Sequence, residues 1–173
     1  VQNTAIGSSS QRYTTAGASR NTSVGSSTLF FNTTGTDNTA LGHAALRDNT
    51  TGIRNVAIGR MANWKNTTGS RNVAVGSSSL IANLTGSYNV AIGESADVTV
   101  DGLTYASALG ANSRVATSNT IALGRNSNLD QVVIGTDTRN DIYANTKLYV
   151  NGVTNLNGDL RGTTATFTGA VNA

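Results

Sequence analysis

A pentamer of the form Asn-x-Ala-x-Gly recurs along this chain at a nearly fixed distance, and that distance restricts the available folds more than any other feature. It reads NTAIG ending at Gly7, NTSVG at Gly25, NTALG at Gly42, NVAIG at Gly59, NVAVG at Gly76 and NVAIG at Gly93, with weaker copies ending at Gly110, Gly124 and Gly135. From Gly25 to Gly110 the interval is constant, a 17-residue period; it is slightly longer before Gly25 and shortens on the way to Gly124 and Gly135. A second column, Gly17, Gly35, Gly52, Gly69, Gly86 and Gly102, lies between them, and together the columns take 15 of the 19 glycines. Such a period is too short for a helix-turn-helix unit and shows no heptad seam, so the unit reads as one coil of an all-β solenoid. Each coil is expected to hold two short strands and two turns. Roughly eight or nine coils stacked about 4.8 Å apart would make a rod about 40 Å long.

Composition bears on what fills such a coil. Of 173 residues only 5% are aromatic and 12% charged, with no Pro and no Cys. Ordinary globular cores draw on large apolar side chains to offset chain entropy, and this chain has few. Two columns are expected to fill a narrow interior: Thr28, Ala45, Ala62, Ser79 and Ala96, and the aliphatic Val24, Leu41, Ile58, Val75 and Ile92. Asn21, Asn38, Asn55, Asn72 and Asn89 repeat in register, as do Asn32, Asn49, Asn66 and Asn83, and identical amides one coil apart can form hydrogen-bonded ladders. With the turn glycines Gly25, Gly42, Gly59, Gly76 and Gly93 they form the expected structural frame. One thin coil buries little apolar area, so a homotrimer with a shared core is expected.

The NVAIG-x-x-A/S units resemble the head repeats of trimeric autotransporter adhesins, and ANSRVATSNTIALG, Ala111 to Gly124, has the 14-residue length of those repeats. The longer units, NTALGHAALRDNTTG and NVAIGRMANWKNTTG, are more similar to repeats of phage tail fibres. From Lys147 on, KLYVNGVTNLNGDLRGTTATFTGAVNA resembles the segment that in many tail fibres precedes a self-cleaving chaperone. The adhesin neck is only echoed by Gly169-Ala170-Val171-Asn172. The resemblance implies a homotrimeric, left-handed parallel β-roll over 1–135 and a short trimeric β-rich connector or cap over 136–173. It also implies a place in a virion tail fibre, with attachment to a bacterial surface glycan or protein receptor. The alternative is an adhesin head on a bacterial cell surface.

Little in the chain points to chemistry. His43 is the single histidine, and Ser26, Arg60, Ser77 and Glu94 take its place in other coils. The nine acids do not recur with the period as a paired acid/base site would. Asp137, Asn140 and Asp141 form an oxygen-rich cluster without the Gly and Glu of a calcium loop, and a polar turn is the expected reading. No enzyme activity, metal or cofactor is expected. The net charge of +3 hints at anionic partners such as surface glycans. Nucleic acid is not an expected partner, and no apolar run approaches the roughly 18 residues of a membrane span. Val1-Gln2-Asn3 shows no signal-peptide pattern, which suits a fragment or secretion by another route.

Three surface features carry functional expectations. Arg20, Arg54 and Arg71, each just before a ladder Asn, would make a basic stripe. Trp64, Phe30, Phe31 and Tyr88 offer aromatic faces suited to sugar stacking or subunit burial. From these, Arg54, Arg71, Trp64 and Tyr88 are the candidate receptor contacts. Thr14/Thr15, Thr33/Thr34, Thr50/Thr51 and Thr67/Thr68 are regular enough to raise a third reading, an ice-binding solenoid. The sequons at Asn21, Asn32, Asn49, Asn66 and Asn83 are expected to be turn residues rather than glycosylation sites.

Overall fold

The computed structural model describes residues 2–125. The coil ending at Gly135, the Asp137 cluster and the connector expected over 136–173 lie outside the described residues. Within them the chain is a parallel β-solenoid. Eight successive coils each lay one three-residue strand into a single sheet: β1 Thr4–Ile6, β2 Thr22–Val24, β3 Thr39–Leu41, β4 Val56–Ile58, β5 Val73–Val75, β6 Val90–Ile92, β8 Ser107–Leu109 and β10 Ile121–Leu123. Equivalent residues pair, as in Ala40 with Ala57 and Ala57 with Ala74, so the 17-residue repeat is the register of the sheet. A second sheet is formed only by β7 Asp97–Val98 and β9 Arg114–Val115.

The expectation of two strands per coil therefore holds only where the pattern changes. After each strand glycine up to Gly76 the second and fourth residues are left-handed, as at Ser27 and Leu29 (φ 57° and 47°) or Ala44 and Leu46 (φ 56° and 49°), which coils the backbone too tightly for an extended run. In the sixth coil the β-branched run Val98-Thr99-Val100 follows Asp97, and this side becomes a strand.

Alternation across each strand sends the middle residue inward and its two neighbours outward. Ala40, Ala57, Ala74, Ala91 and Ala108 are buried and pack in one core with Ala45, Ala62, Ala96, Leu29, Leu46 and Leu80. The small column from Thr28 to Ala96 is inside, as expected. The aliphatic column is not. Leu41 is 46% exposed and Ile92 45%, with Ile58 also exposed and Val24 and Val75 half-buried. Inward space at the strand is only alanine-wide, so the larger side chains take the outer face.

The asparagines do two different jobs. In the column of Asn21, Asn38, Asn55, Asn72 and Asn89, each side-chain oxygen accepts the backbone N–H of the next coil, 2.9 Å from Asn72 N to Asn55 Oδ1. Each Nδ2 meanwhile donates to the turn carbonyl of its own coil, 2.9 Å from Asn55 to Gly69 O. The last acceptor, Asn89 Oδ1, takes the N–H of Ala106, where the column ends. Amide-to-amide bonding runs through the other column, with Asn49 Nδ2 donating to Asn32 Oδ1 at 2.8 Å and Asn66 Nδ2 to Asn49 Oδ1 at 2.7 Å; in the first column it occurs only at the start, as from Asn38 Nδ2 to Asn21 Oδ1 at 3.1 Å. All five sequon asparagines are at most 1% exposed, which closes them to glycosylation in the folded chain.

The second glycine column is set by this ladder. A Cβ on Gly35 would stand 2.5 Å from Gly52 O and 2.7 Å from Asn49 Nδ2. Gly102, however, is out of register: Leu103 O faces Gly86 and accepts Asn89 Nδ2, so Leu103 holds the column's place. Here the coil leaves the repeat, and two carboxylates stand in for missing main-chain carbonyls. Asp101 Oδ1 accepts Leu84 N–H at 2.7 Å and Thr85 N–H at 2.8 Å, which in earlier coils go to a carbonyl of the next coil. Asp97 Oδ1 accepts Ala82 N–H at 3.1 Å. The following coil, Ala106 to Asn119, is shorter than those before it.

Candidate functional site

With the core made of small side chains, recognition chemistry is left to the outer edges of the coils. One edge is the residue just before each ladder asparagine, and its equivalents in the last two coils: Arg20, Asp37, Arg54, Arg71, Tyr88, Tyr105 and Asn119, all left-handed with φ between 55° and 60°. Each N–H from Asp37 on donates to the carbonyl preceding its equivalent in the previous coil, which fixes the column in register.

The stripe is not uniformly basic. Asp37 stands between Arg20 and Arg54, and the Arg20 guanidinium binds its carboxylate through Nε at 2.6 Å and through a second nitrogen at 2.9 Å. That pair, with Thr36 donating its hydroxyl, holds the Asp37 carboxyl at about 2, below its ordinary 3.8. Further along, Arg71 donates to the Tyr88 hydroxyl at 2.7 Å with its guanidinium carbon 5.1 Å from the ring centroid. Tyr88 stacks on Tyr105, centroids 4.7 Å apart and planes 16° from parallel.

The other edge is aromatic and cationic in turn. Tyr13 stacks on Phe31 at 5.5 Å, and Phe30 meets both edge-on. The Arg47 guanidinium lies 5.6 Å from the Phe30 centroid, 5.2 Å from Phe31 and 5.9 Å from Trp64. Trp64 is half-buried, and its ring N–H is buried without a partner. Three of the four candidate contacts, Arg54, Arg71 and Tyr88, thus fall in one column, and Trp64 falls in another. Asp37 and Tyr105 were legible by stepping one repeat back from Arg54 and one repeat on from Tyr88; considering arginines and aromatics as separate classes hides them.

The threonine pairs are partly consumed by the fold. Thr33, Thr50 and Thr67 donate their hydroxyls to the carbonyls of Thr50, Thr67 and Leu84. One rank of each pair is therefore bound to the next coil, and Thr34, Thr51 and Thr68 form the exposed rank. Among the described residues no group of three or more His, Cys, Asp or Glu is placed to hold a metal.

The two other perturbed acids differ in sign. Burial raises Asp97 above 3.8 against the N–H groups of Ala82 and Val98. At Asp101 burial is outweighed by the N–H groups of Thr85, Leu84 and Gly102 and the Thr85 hydroxyl, and its carboxyl lies below 3.8. Carbon-detected NMR titration is expected to give Asp37 a midpoint of about 2, with Asp97 above 3.8. The linked stability follows. The Asp37 and Asp101 contributions are present above 3.8 and fade as pH falls through their folded values, whereas that of Asp97 is complete below 3.8 and fades as pH rises through its own. An Asp97 midpoint below that of Asp37 would contradict this assignment.

What the fold defines is a parallel β-solenoid repeat protein. No protein-family model, curated protein or solved structure matches the chain.

Proposed function

We propose that this chain is a non-enzymatic structural and host-attachment segment of a phage tail fibre, a homotrimer binding a bacterial surface glycan or protein receptor by repeated contacts. The observation that carries the reading is the outward face of the main sheet. Ile6, Leu41, Ile58, Ile92 and Leu123 are exposed in one register column, which half-buried Val24, Val75 and Leu109 complete, and half-buried Val56, Val73 and Val90 flank its middle. An apolar stripe running the length of a rod marks an interaction surface. Three parallel copies around an axis along the rod would bury it in closed cyclic symmetry. Trimerisation also triples each outer edge, and contacts individually weak gain from effective concentration. A left-handed coil and a connector at 136–173 belong to the same reading through the tail-fibre resemblance.

Light scattering tests the assembly: the trimer is expected at three times the 17.7 kDa of one chain, and a stable species of 17.7 kDa overturns the reading. Ile58→Lys would bring three charges together on the shared face and is expected to dissociate the trimer at micromolar concentration. Binding of the wild-type trimer to intact bacteria tests attachment. A second reading, the head of a bacterial trimeric adhesin, draws support from the 14-residue coil Ala106 to Asn119. A downstream membrane-anchor barrel rather than a chaperone in the encoding gene would decide for it.

A further inference from the structure

Tyr88 and Tyr105 occupy a backbone position that works against them. At φ 60° and 55° a bulky side chain is strained, and asparagine is among the residues that tolerate the conformation best. Asn119 holds the same column position one coil on, at φ 57°. Packing does not account for the tyrosines, since they lie outside the core, 39% and 55% exposed. Their orientation is nevertheless fixed. Arg71 covers one face of Tyr88 and donates to its hydroxyl, and Tyr105 covers the other face. Tyr105 is the last aromatic ring of the column among the described residues: it rests on Tyr88, and the next column position holds Asn119. The left-handed position recurs in every coil and belongs to the fold; what is particular to these two coils is that exposed, pre-oriented aromatic rings occupy it, where folding calls for no ring.

From this column we infer a binding site for an extended acidic oligosaccharide, lying along the rod from Tyr105 toward Arg54. The inference rests on the attachment reading above and specifies the ligand. A pyranose ring presents an apolar C–H face that suits the 55% exposed ring of Tyr105, and the exposed side chain of Asn119, which makes no hydrogen bond among the described residues, can bond its hydroxyls. Arg71 uses one of its five donors on Tyr88 and keeps the others. Arg54 makes no side-chain hydrogen bond among the described residues, though its charge acts on Asp37 one coil back, and it lies three coils from Tyr105, about 14 Å at the usual strand spacing. That is about the span of three sugar rings. No acid stands in the column between Arg54 and Asn119, and Asp101 nearby is committed to the amides of Leu84 and Thr85. The charge therefore favours carboxylate-bearing sugars over neutral ones.

The test is calorimetric titration of the full chain with tetragalacturonate and with neutral maltotetraose. Tetragalacturonate is expected to bind at least tenfold more tightly, with an affinity that falls as salt is raised. Tyr105→Asn places in the column the residue that already occupies it at Asn119, so the fold is retained, as circular dichroism would show, and affinity is expected to drop at least tenfold. Arg54→Gln is expected to weaken binding and flatten its salt dependence. No tetragalacturonate binding by the wild-type chain, or equal binding by Tyr105→Asn, overturns the site. Parallel assays on intact bacteria keep the two ideas apart. Undiminished cell binding by Tyr105→Asn overturns this site and leaves attachment standing, whereas saccharide binding without cell binding overturns attachment and leaves the site.

Discussion

Gly59→Ala is expected to abolish the cooperative fold or to lower its stability by about 4 kcal/mol or more, read from the denaturant midpoint of the far-ultraviolet β signal. Two independent obstacles meet at this residue. Its φ of 131° belongs to a region that glycine alone enters freely, at a cost of order 1–3 kcal/mol for any other residue. An added Cβ would also stand 2.5 Å from Gly76 O, and that atom is main chain, so no rotamer change relieves the contact. Relief requires the coils to part, which breaks the flanking bonds from Gly76 N to Ile58 O and from Ser78 N to Arg60 O, both 2.8 Å. In a solenoid each coil is held only by its neighbours, so a break at one interface exposes both. Gly17→Ala supplies the contrast. There φ is not in the left-handed region and the nearest atom to an added Cβ is the Thr34 methyl at 3.4 Å, so the change is expected to lie within about 0.5 kcal/mol of neutral. Equal effects at the two glycines would mean that the coil spacing is softer than this geometry allows.

That contrast also marks how far the fold was legible in the sequence. The period gave the coil, the strand and the register, because a parallel stack turns sequence spacing directly into vertical alignment. It could not give direction within the coil. Val24, Leu41, Ile58, Val75 and Ile92 read as core because they are the largest apolar column, yet the interior at the strand admits only alanine, and the column faces outward. The inward Leu29, Leu46 and Leu80 lie in a segment of alternating left-handed residues that no propensity scale anticipates. At the candidate site the arginine positions and Tyr88 were visible one by one, whereas that Asp37 interrupts the column and Tyr105 extends it follows only from counting repeats instead of grouping side chains by chemistry. Side chains of different chemistry share that column because a left-handed backbone, not a common side-chain role, defines it.

Asn63→Leu is expected to stabilise the protein by about 2–3 kcal/mol, an unusual sign for a core substitution. Asn63 stands in the column of Leu29, Leu46 and Leu80, is 0% exposed, and has neither amide atom hydrogen-bonded. Each unpaired buried polar group costs about 1–3 kcal/mol, and leucine removes both while filling nearly the same volume with apolar atoms. Against this stands the preference of asparagine for left-handed backbone, about 1 kcal/mol or less. That loss is bounded by the column itself, because Leu46 and Leu80 already adopt φ of 49° and 54° beside the 48° of Asn63. The same replacement at Asn55 is expected to go the other way by about 3 kcal/mol or more, since that amide accepts Asn72 N–H and donates to Gly69 O, both at 2.9 Å. Opposite signs for one substitution at two fully buried asparagines would separate ladder residues from a polar intruder in the core. A loss of stability at Asn63 would instead assign that amide a partner and make it part of the frame.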